Sequence, residues 1–366
     1  METGMQPRKI ILENEAEYCG FSFGAVRDTI LEIVFNTSMA GYQEILSDPS
    51  YTDQAVVMTY PLIGNYGMAA EDYECETPSI GALIVREYNN EPSSFRSRET
   101  LDAVMKRYGI AGICGIDTRS LARRIRDYGS CKALITGPGT SMREGLQRMA
   151  QNPLPRDAVS RVSCRTQKTY PAAHPRFRVA AIDCGMKQGI TRCLNALGCD
   201  VITVPWNTPA EQILALKPDG LFISNGPGDP TDIGQTIRTI RSLRGALPIF
   251  GICLGHQLIA LSYGAATYKL KFGHRGGNHP VRELRTGKIS VTSQNHSYAV
   301  DAASLSGTPL EVTHINLLDG TVEGIACEKD MVFSVQYHPE SAPGPLDSVG
   351  LFDHFIHLME ERKDHA

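Results

Sequence analysis

Residues 247–264 read LPIFGICLGHQLIALSYG. Leu247 to Ile252 form a short apolar run of strand length, and the residues from Leu254 onward have helical composition. Gly251-Ile252-Cys253-Leu254-Gly255 joins them as a G-x-C-x-G turn, the thiol counterpart of the G-x-S-x-G nucleophile elbow. Glycines two residues before and after the cysteine let strand and helix approach closely around a sharp turn. The thiol is then displayed at a helix N-terminus, where the dipole and unpaired N–H groups favour a thiolate. The same N–H groups serve a developing oxyanion, with that of Leu254 as the first donor.

Working outward, the same alternation repeats. FRVAAIDCG (177–185) reads as a buried strand and KQGITRCLNALG (187–198) as a helix stopped by Gly198. CDVITVPW (199–206) is a second strand. TPAEQILALKPDG (208–220) reads as a helix with Thr208 as N-cap, Pro209 in the first position and Glu211 completing a capping box. GLFISNGPGDP (220–230) is a third strand entering a glycine-rich turn, and a helix follows around Ile233 to Arg244. Strands alternating with helices predict an α/β domain, a doubly wound and mostly parallel sheet with helices on both faces. Ligands of such sheets bind beyond the strand carboxyl ends, where both Gly226-Pro227-Gly228 and Cys253 fall. The glycine turn at 226–228 is therefore a candidate second oxyanion donor.

The first half reads differently. Short β-rich runs (Glu32 to Phe35, Gln54 to Thr59, Ile80 to Val85) precede a helical stretch from Thr100 to Tyr108. Asp117 is placed to cap the helix TRSLARRIRDY, and Gly129 to stop it. Arg119, Arg123 and Arg126 share one face of that helix, either a solvated face or a docking surface for an acidic partner. Between the halves, 151–176 carries four prolines and few large apolar residues, the composition of a linker. The predicted organisation is a separate N-terminal α+β or β-rich domain at 1–150, a linker at 151–176 and the α/β domain at 177–366.

The 366 residues are enough for two domains, and 42% hydrophobic with 21% charged residues is ordinary globular composition. With 36 basic against 40 acidic residues the net charge is −4, which argues against nucleic acid or an anionic membrane as partner. The first 17 residues hold no apolar signal segment, and the longest stretch free of charged side chains, Gly245 to Tyr268, is broken by Pro248 and four glycines. Ten cysteines show no C-x-x-C pair and no disulfide or zinc framework, which fits a reducing, cytoplasmic setting. Nine of them read as small buried hydrophobes.

A thiol nucleophile needs a base, and the base an orienting group. Ser334 to Glu340, SVQYHPE, offers both: in an extended segment His338 and Glu340 share a face, and Pro339 stiffens the link. His354 and His357 lie three apart near the C-terminus without a third ligand, so they read as a helix face and no metal is assigned. Neither a P-loop nor a G-x-G-x-x-G fingerprint occurs, so no nucleotide or other cofactor is expected on this chain.

NGPGDP (225–230), GICLGHQ (251–257) and YHPE (337–340), in this order on an alternating α/β domain, resemble the class I (triad) glutamine amidotransferases. FNTSMAGYQEILSDPSY, TYPLIGNYG, GIDTRSLARRIRD, KFGHRGGNHPV and SQNHSYAV extend the resemblance to the small, glutamine-hydrolysing chain of carbamoyl-phosphate synthetases over nearly the whole sequence. The resemblance implies Cys253 as nucleophile, His338 as general base then acid, and Glu340 as its orienter. It implies glutamine contacts from Ser50, Gly226, Gly228, Leu254, Gln257, Asn295, Ser297 and Tyr298, with Ser297 standing where the family pattern has glycine. It further implies L-glutamine as substrate and a large synthetase chain as partner. That chain would carry ATP and Mg and receive the ammonia, and the carbamoyl phosphate would feed pyrimidine and arginine synthesis. Gln257 lies one helical turn beyond Cys253, and 295–298 reads as a loop or a hairpin turn. The basic stretch 268–278 reads as a structured loop near the partner. A free-standing glutaminase and a non-catalytic glutamine-sensing scaffold are the competing readings; the long first domain argues against the former and the intact triad against the latter.

Overall fold

A computed structural model describes residues 5–364. The chain forms two compact units, one reaching to Pro155 together with Lys271–Arg275, the other Arg156–Leu270 together with the chain from Gly276 on.

The first unit is built on a closed seven-stranded barrel. Around it run Pro7–Leu12, Glu17–Gly24, Ala111–Cys114, Ala82–Ile84, Gln54–Met58, Thr29–Asn36 and Cys131–Thr136, which returns to the first. Alternate residues on a strand face opposite sides. One set, including Ile10, Leu31, Ala55, Ile84, Ile113 and Ile135, meets in a common core with Leu121 and Ile125. The other set, including Val34, Val56 and Leu83, packs with Tyr42, Ile45 and Val104 of the helices Tyr42–Ser47 and Leu101–Arg107. Strands buried on both faces explain why the runs at 33–35, 55–58 and 82–84 are continuously apolar. The β-rich reading thus resolves into a barrel, whose closure depends on strand pairs far apart in sequence. The arginine-bearing helix spans Thr118–Tyr128; Asp117 accepts a hydrogen bond from the Ser120 N–H at 2.9 Å and Gly129 ends it at φ 97°.

The second unit carries a ten-stranded sheet. Its centre is five parallel strands in the order Cys199–Pro205, Phe177–Asp183, Gly220–Ile223, Ile249–Ile252 and Val332–Val335. Val322–Cys327, Glu311–Asn316, Thr267–Glu283 and Ile289–Val300 extend the far edge. Ala180, Ile182, Leu221 and Ile249 enter a core with Ile240, Leu258 and Ile259 on one face. Val179, Ala181, Phe222 and Phe250 enter a second core with Ile190, Leu194 and Phe355 on the other. Helices on both faces make this the doubly wound sheet expected.

Four local readings differ from the structure. The stretch 151–176 is not plain linker: it holds the helix Ala158–Val162 and the strand Lys168–Tyr170, which pairs antiparallel with Cys199–Pro205. The first two residues of that edge strand are exposed, so no apolar pattern announces it. Thr208 does not cap: its hydroxyl donates to the Pro205 carbonyl at 2.8 Å, and the helix begins at Ala210 with no side-chain cap. The basic stretch 268–278 and the supposed loop 295–298 both lie inside long strands, Thr267–Glu283 and Ile289–Val300, where ladder bonding replaces turn geometry. Residues 271–275 belong with the first unit, where Phe272 stacks on Phe35.

Candidate active site

Parallel neighbours end side by side. Gly251 pairs with Ser334 and Ile252 with Val335, so the chain leaves both strands at the same sheet edge. The Cys253 N–H continues the ladder, donating to the Val335 carbonyl at 2.9 Å. This register brings Cys253 beside a segment more than eighty residues away and starts Gln336 to Glu340 over the same rim.

Cys253 has φ 55° and ψ −103°, outside the helical and extended regions, and directly precedes the helix Leu254–Ser262. A backbone turned this sharply is the strained elbow the glycines predict. A Cβ at position 255 would run into the carbonyl oxygen of Ile223, the end of the neighbouring strand. Gly255→Ala is therefore expected to destabilise the α/β unit by roughly 1–3 kcal/mol, as overpacking does; a thermal melt unchanged from wild type would contradict it. Leu254 is the first helical residue, so its N–H has no intrahelical acceptor. A Cβ on Gly226 would lie 2.8 Å from Leu254 Cδ2, which places the glycine turn against the elbow, and Gly228 takes φ 89°.

The His338 Nδ1 and Glu340 Oε1 atoms are 2.7 Å apart, and both side chains are buried. The expected pairing holds, but through a turn. The strand stops at Val335, and the Ser341 N–H closes back on the His338 carbonyl at 3.2 Å. Proline's fixed φ suits the second position of such a turn, so Pro339 shapes it instead of extending it. The His338 N–H donates to the Ser293 carbonyl at 2.9 Å, fixing the turn to the neighbouring long strand. His338 Nε2 is buried with no hydrogen-bond partner. The Cys253 thiol instead points to the Asn295 carbonyl oxygen at 3.5 Å, though it still acts on the imidazole. Loose nucleophile–base geometry of this kind is common without substrate.

Burial alone would lower the proton affinity of His338. The Glu340 carboxylate, hydrogen-bonded to the imidazole, and the nearby Cys253 sulfur outweigh it and lift the pKa to about 10. Glu340 is opposite: burial raises it, but Lys187 first and then His338 hold it well below the usual carboxylate range.

Lys187 is the residue that sequence reasoning missed. Its Nζ lies 2.8 Å from Glu340 Oε1 and donates to the Ala342 carbonyl at 2.7 Å, and its side chain is 2% exposed. The chain delivers it there by design of the preceding turn: Asp183 accepts from the Gly185 and Met186 N–H groups, and Asn225 Oδ1 accepts from the Lys187 N–H at 3.2 Å. Its sequence signal is weak, a lysine just past a strand carboxyl end, since most lysines are exposed. Removing one partner of a buried ion pair costs roughly 3–5 kcal/mol. Lys187→Met is expected to lose that much and to unfold at higher pH on acidification, because Glu340 loses its chief source of depression. In wild type the ionised Glu340 contributes stability that is fully present above pH 4.5 and drains progressively as pH falls from there through its lowered pKa. Acid titration followed by circular dichroism reads the difference; coincident curves would contradict it.

The remaining predicted contacts fall in two groups. Gly226, Gly228, Leu254, Gln257, Asn295, Ser297 and Tyr298 all belong to the second unit. Ser50 belongs to the first, buried in a short helical turn where its N–H donates to Asp48 Oδ1 at 2.9 Å. Gln257 is already engaged through nitrogen: Nε2 donates to the Tyr298 carbonyl at 2.7 Å and to Gln336 Oε1 at 3.0 Å. It thereby ties the 295–298 strand segment to the elbow helix. His296 reinforces the same segment, with Nδ1 2.7 Å from the Tyr298 carbonyl and Nε2 2.9 Å from Gln294 Oε1. His354 and His357 are exposed on the helix Gly350–Asp364, His357 pairing with Glu361 at 3.2 Å.

Comparison with known proteins gives a family for each half of the chain. The family model for glutamine amidotransferase class-I matches residues 180–358, and that for the carbamoyl-phosphate synthase small chain, CPSase domain, matches residues 10–135. The carbamoyl phosphate synthase small chain of Bacillus caldolyticus is 52% identical over 354 residues, 97% of each chain. The pyrimidine-specific small chain of Bacillus subtilis (strain 168) is 51% identical over 96% of each, and the small chain of Fusobacterium nucleatum 50% identical over 96% of this chain and 98% of its own. A buried thiol–imidazole–carboxylate set on a class-I amidotransferase domain, preceded by a CPSase domain and matched end to end by such relatives, means that this chain belongs to the carbamoyl phosphate synthase small chain family.

Proposed function

We propose that this chain hydrolyses L-glutamine at Cys253 and is the ammonia-producing subunit of a carbamoyl phosphate synthase. The observation that carries the reading is the Lys187–Glu340–His338 chain ending beside a thiol on a strained elbow. The Cys253 thiol gives its proton to His338 Nε2, and sulfur attacks the side-chain amide carbon of glutamine. The carbonyl oxygen, now negative, takes hydrogen bonds from the Leu254 N–H and the 226–228 turn. The His338 imidazolium then protonates the leaving nitrogen, which departs as ammonia and leaves a glutamyl thioester. Water, losing its proton to His338, releases glutamate and restores the thiol. Gln257 and His296 hold the 295–298 segment, against which the substrate's amino-acid end is assigned.

Ammonia is a nucleophile only when unprotonated, so it must reach bicarbonate chemistry without equilibrating with neutral water. We assign that chemistry to a large synthetase chain that binds ATP and Mg, and no cofactor to this one. The printed name of the Bacillus subtilis relative supports pyrimidine synthesis as a destination. Among the described residues no helix is long and apolar enough to cross a membrane. Tagged chain recovered from its own cells should bring down one much larger partner and make carbamoyl phosphate from glutamine, bicarbonate and Mg-ATP. Full ammonia release with no partner and no ATP dependence would favour a free-standing glutaminase.

A further inference from the structure

A buried polar network crosses the far-edge strands of the second unit and ends at the 295–298 segment. Thr292, Gln294 and His296 alternate along Ile289–Val300, so their side chains share one face of that strand. All three are buried, as are Asn316, at the end of Glu311–Asn316, and Glu323, on Val322–Cys327. Glu323 Oε1 accepts from Asn316 Nδ2 at 2.8 Å, and Oε2 from Gln294 Nε2 at 3.0 Å. Gln294 Oε1 in turn lies 2.9 Å from His296 Nε2, and His296 Nδ1 lies 2.7 Å from the Tyr298 carbonyl. A second branch reaches the same carbonyl. The Gln336 N–H donates to the Glu323 carbonyl at 2.9 Å, and Gln336 Oε1 accepts from the Gln257 nitrogen that also donates to Tyr298.

The backbone fixes which way these bonds run. At one end the Leu318 N–H donates to Asn316 Oδ1 at 2.9 Å, so the amide nitrogen of Asn316 is the group facing Glu323. Beside Gln294, the Thr292 hydroxyl donates to the His279 carbonyl at 2.9 Å and is left to accept, at 3.1 Å, from Gln294 Nε2. The two hydrogens of that nitrogen therefore go to Thr292 and Glu323, and the oxygen of Gln294 faces His296. At the other end stands the Tyr298 carbonyl, which can only accept. His296 thus meets an acceptor at each ring nitrogen, and only the imidazolium donates from both. Moving its Nε2 proton to Glu323 would turn the Gln294 amide over, break the bond to Thr292 and set two oxygens against each other. A ring nitrogen of His296 and a carboxylate oxygen of Glu323 lie within 4.8 Å, so the buried cation and the buried carboxylate offset each other's desolvation.

We infer that Glu323 is a positioning residue for glutamine binding, acting through Gln294 to hold His296 as an imidazolium that fixes the Tyr298 carbonyl. The inference rests on the reading of this chain as a glutamine-hydrolysing subunit and deepens it at the segment assigned to the substrate's amino-acid end. Hydrogen bonds from an ionised donor are about twice as strong as neutral ones, which suits a backbone group that must hold still as substrate enters and leaves. The relay ends on a backbone carbonyl and not on Cys253 or His338, so its loss weakens ground state and transition state alike.

Two measurements on the full chain test this. The first is NMR of the histidine ring nitrogens in labelled wild-type chain at neutral pH, with the His296 signals identified by their absence in His296→Gln. Both ring nitrogens are expected to carry protons; a neutral ring overturns the proposal whatever the variants do. The second is steady-state glutamine hydrolysis. Glu323→Gln sets a new amide NH₂ against that of Asn316 or Gln294. Asn316 is held by the Leu318 N–H, so Gln294 turns over and presents its nitrogen to His296 Nε2, which must give up its proton. The ring should become neutral and KM should rise about tenfold or more, with kcat within about twofold of wild type. Adding Asn316→Asp to Glu323→Gln returns an acceptor to the far end, turns Gln294 back and should restore KM to within about threefold of wild type. Lost packing alone would not be repaired by that exchange. Should Glu323→Gln fail to fold, the wild-type spectrum and the double variant decide. Unchanged KM in a Glu323→Gln chain that melts like wild type overturns the positioning role and leaves the amidotransferase reading intact, as does a raised KM that Asn316→Asp leaves unrepaired. Wild-type chain that hydrolyses no glutamine, alone or with its large partner, overturns both.

Discussion

Cys253→Ala is expected to lower glutamine hydrolysis by roughly 10⁴-fold or more, the scale seen when a triad nucleophile is removed. No neighbouring group can replace it: the elbow presents one side chain at the end of the strand Ile249–Ile252, and among the described residues no other group hydrogen-bonds His338 Nε2. The fold should survive, because alanine is smaller and meets the same φ of 55° that cysteine already accepts. In the assembled synthase, carbamoyl phosphate formation from added ammonia should continue while formation from glutamine stops. Paired assays with the two nitrogen sources check this. Loss of both activities would mean that Cys253 supports the assembly and not only the chemistry, and would sink the assigned role.

The second large effect belongs to His338. His338→Asn removes the proton acceptor of the first step and the proton donor to the leaving nitrogen, so hydrolysis should fall by about 10³-fold or more. Glu340 keeps Lys187 as partner, which limits the structural cost. A pH dependence accompanies it. The folded pKa of His338 is lifted to about 10, above the ordinary 6.5, so the protonated imidazole is bound more tightly in the folded state. Its stabilisation is fully present below pH 6.5 and drains away as pH rises toward 10. Wild type should therefore lose stability over that window, and His338→Asn should show a flatter profile there. Thermal melts between pH 6 and 10 decide it; parallel profiles would show that His338 does not titrate as its surroundings dictate.

Much of this site is legible in residues 247–264 and 337–340. A cysteine between glycines at a strand-to-helix junction needs an elbow, and only one place in an α/β sheet provides it. His338 and Glu340, two apart around a proline, pair in the structure as their spacing allows. These features are local, so short-range sterics and side-chain reach determine them. The alternation of strands and helices from 177 to 264 is local in the same sense, which is why the doubly wound sheet follows from it.

What only the tertiary structure decides is set by strand register and by burial. The pairing of Gly251 with Ser334 brings the thiol to the imidazole, and no local pattern specifies which strands become neighbours. Barrel closure in the first unit needs Pro7–Leu12 to meet Cys131–Thr136, a pairing across most of that unit. The turn at His338–Ser341 and the strand character of 295–298 depend on hydrogen bonds to Ser293, Gln257 and Gln336. Lys187 shows the difference most clearly. A lysine is ordinarily exposed because its charge is costly to bury, and only a folded site with Glu340 and the Ala342 carbonyl in reach makes its burial favourable.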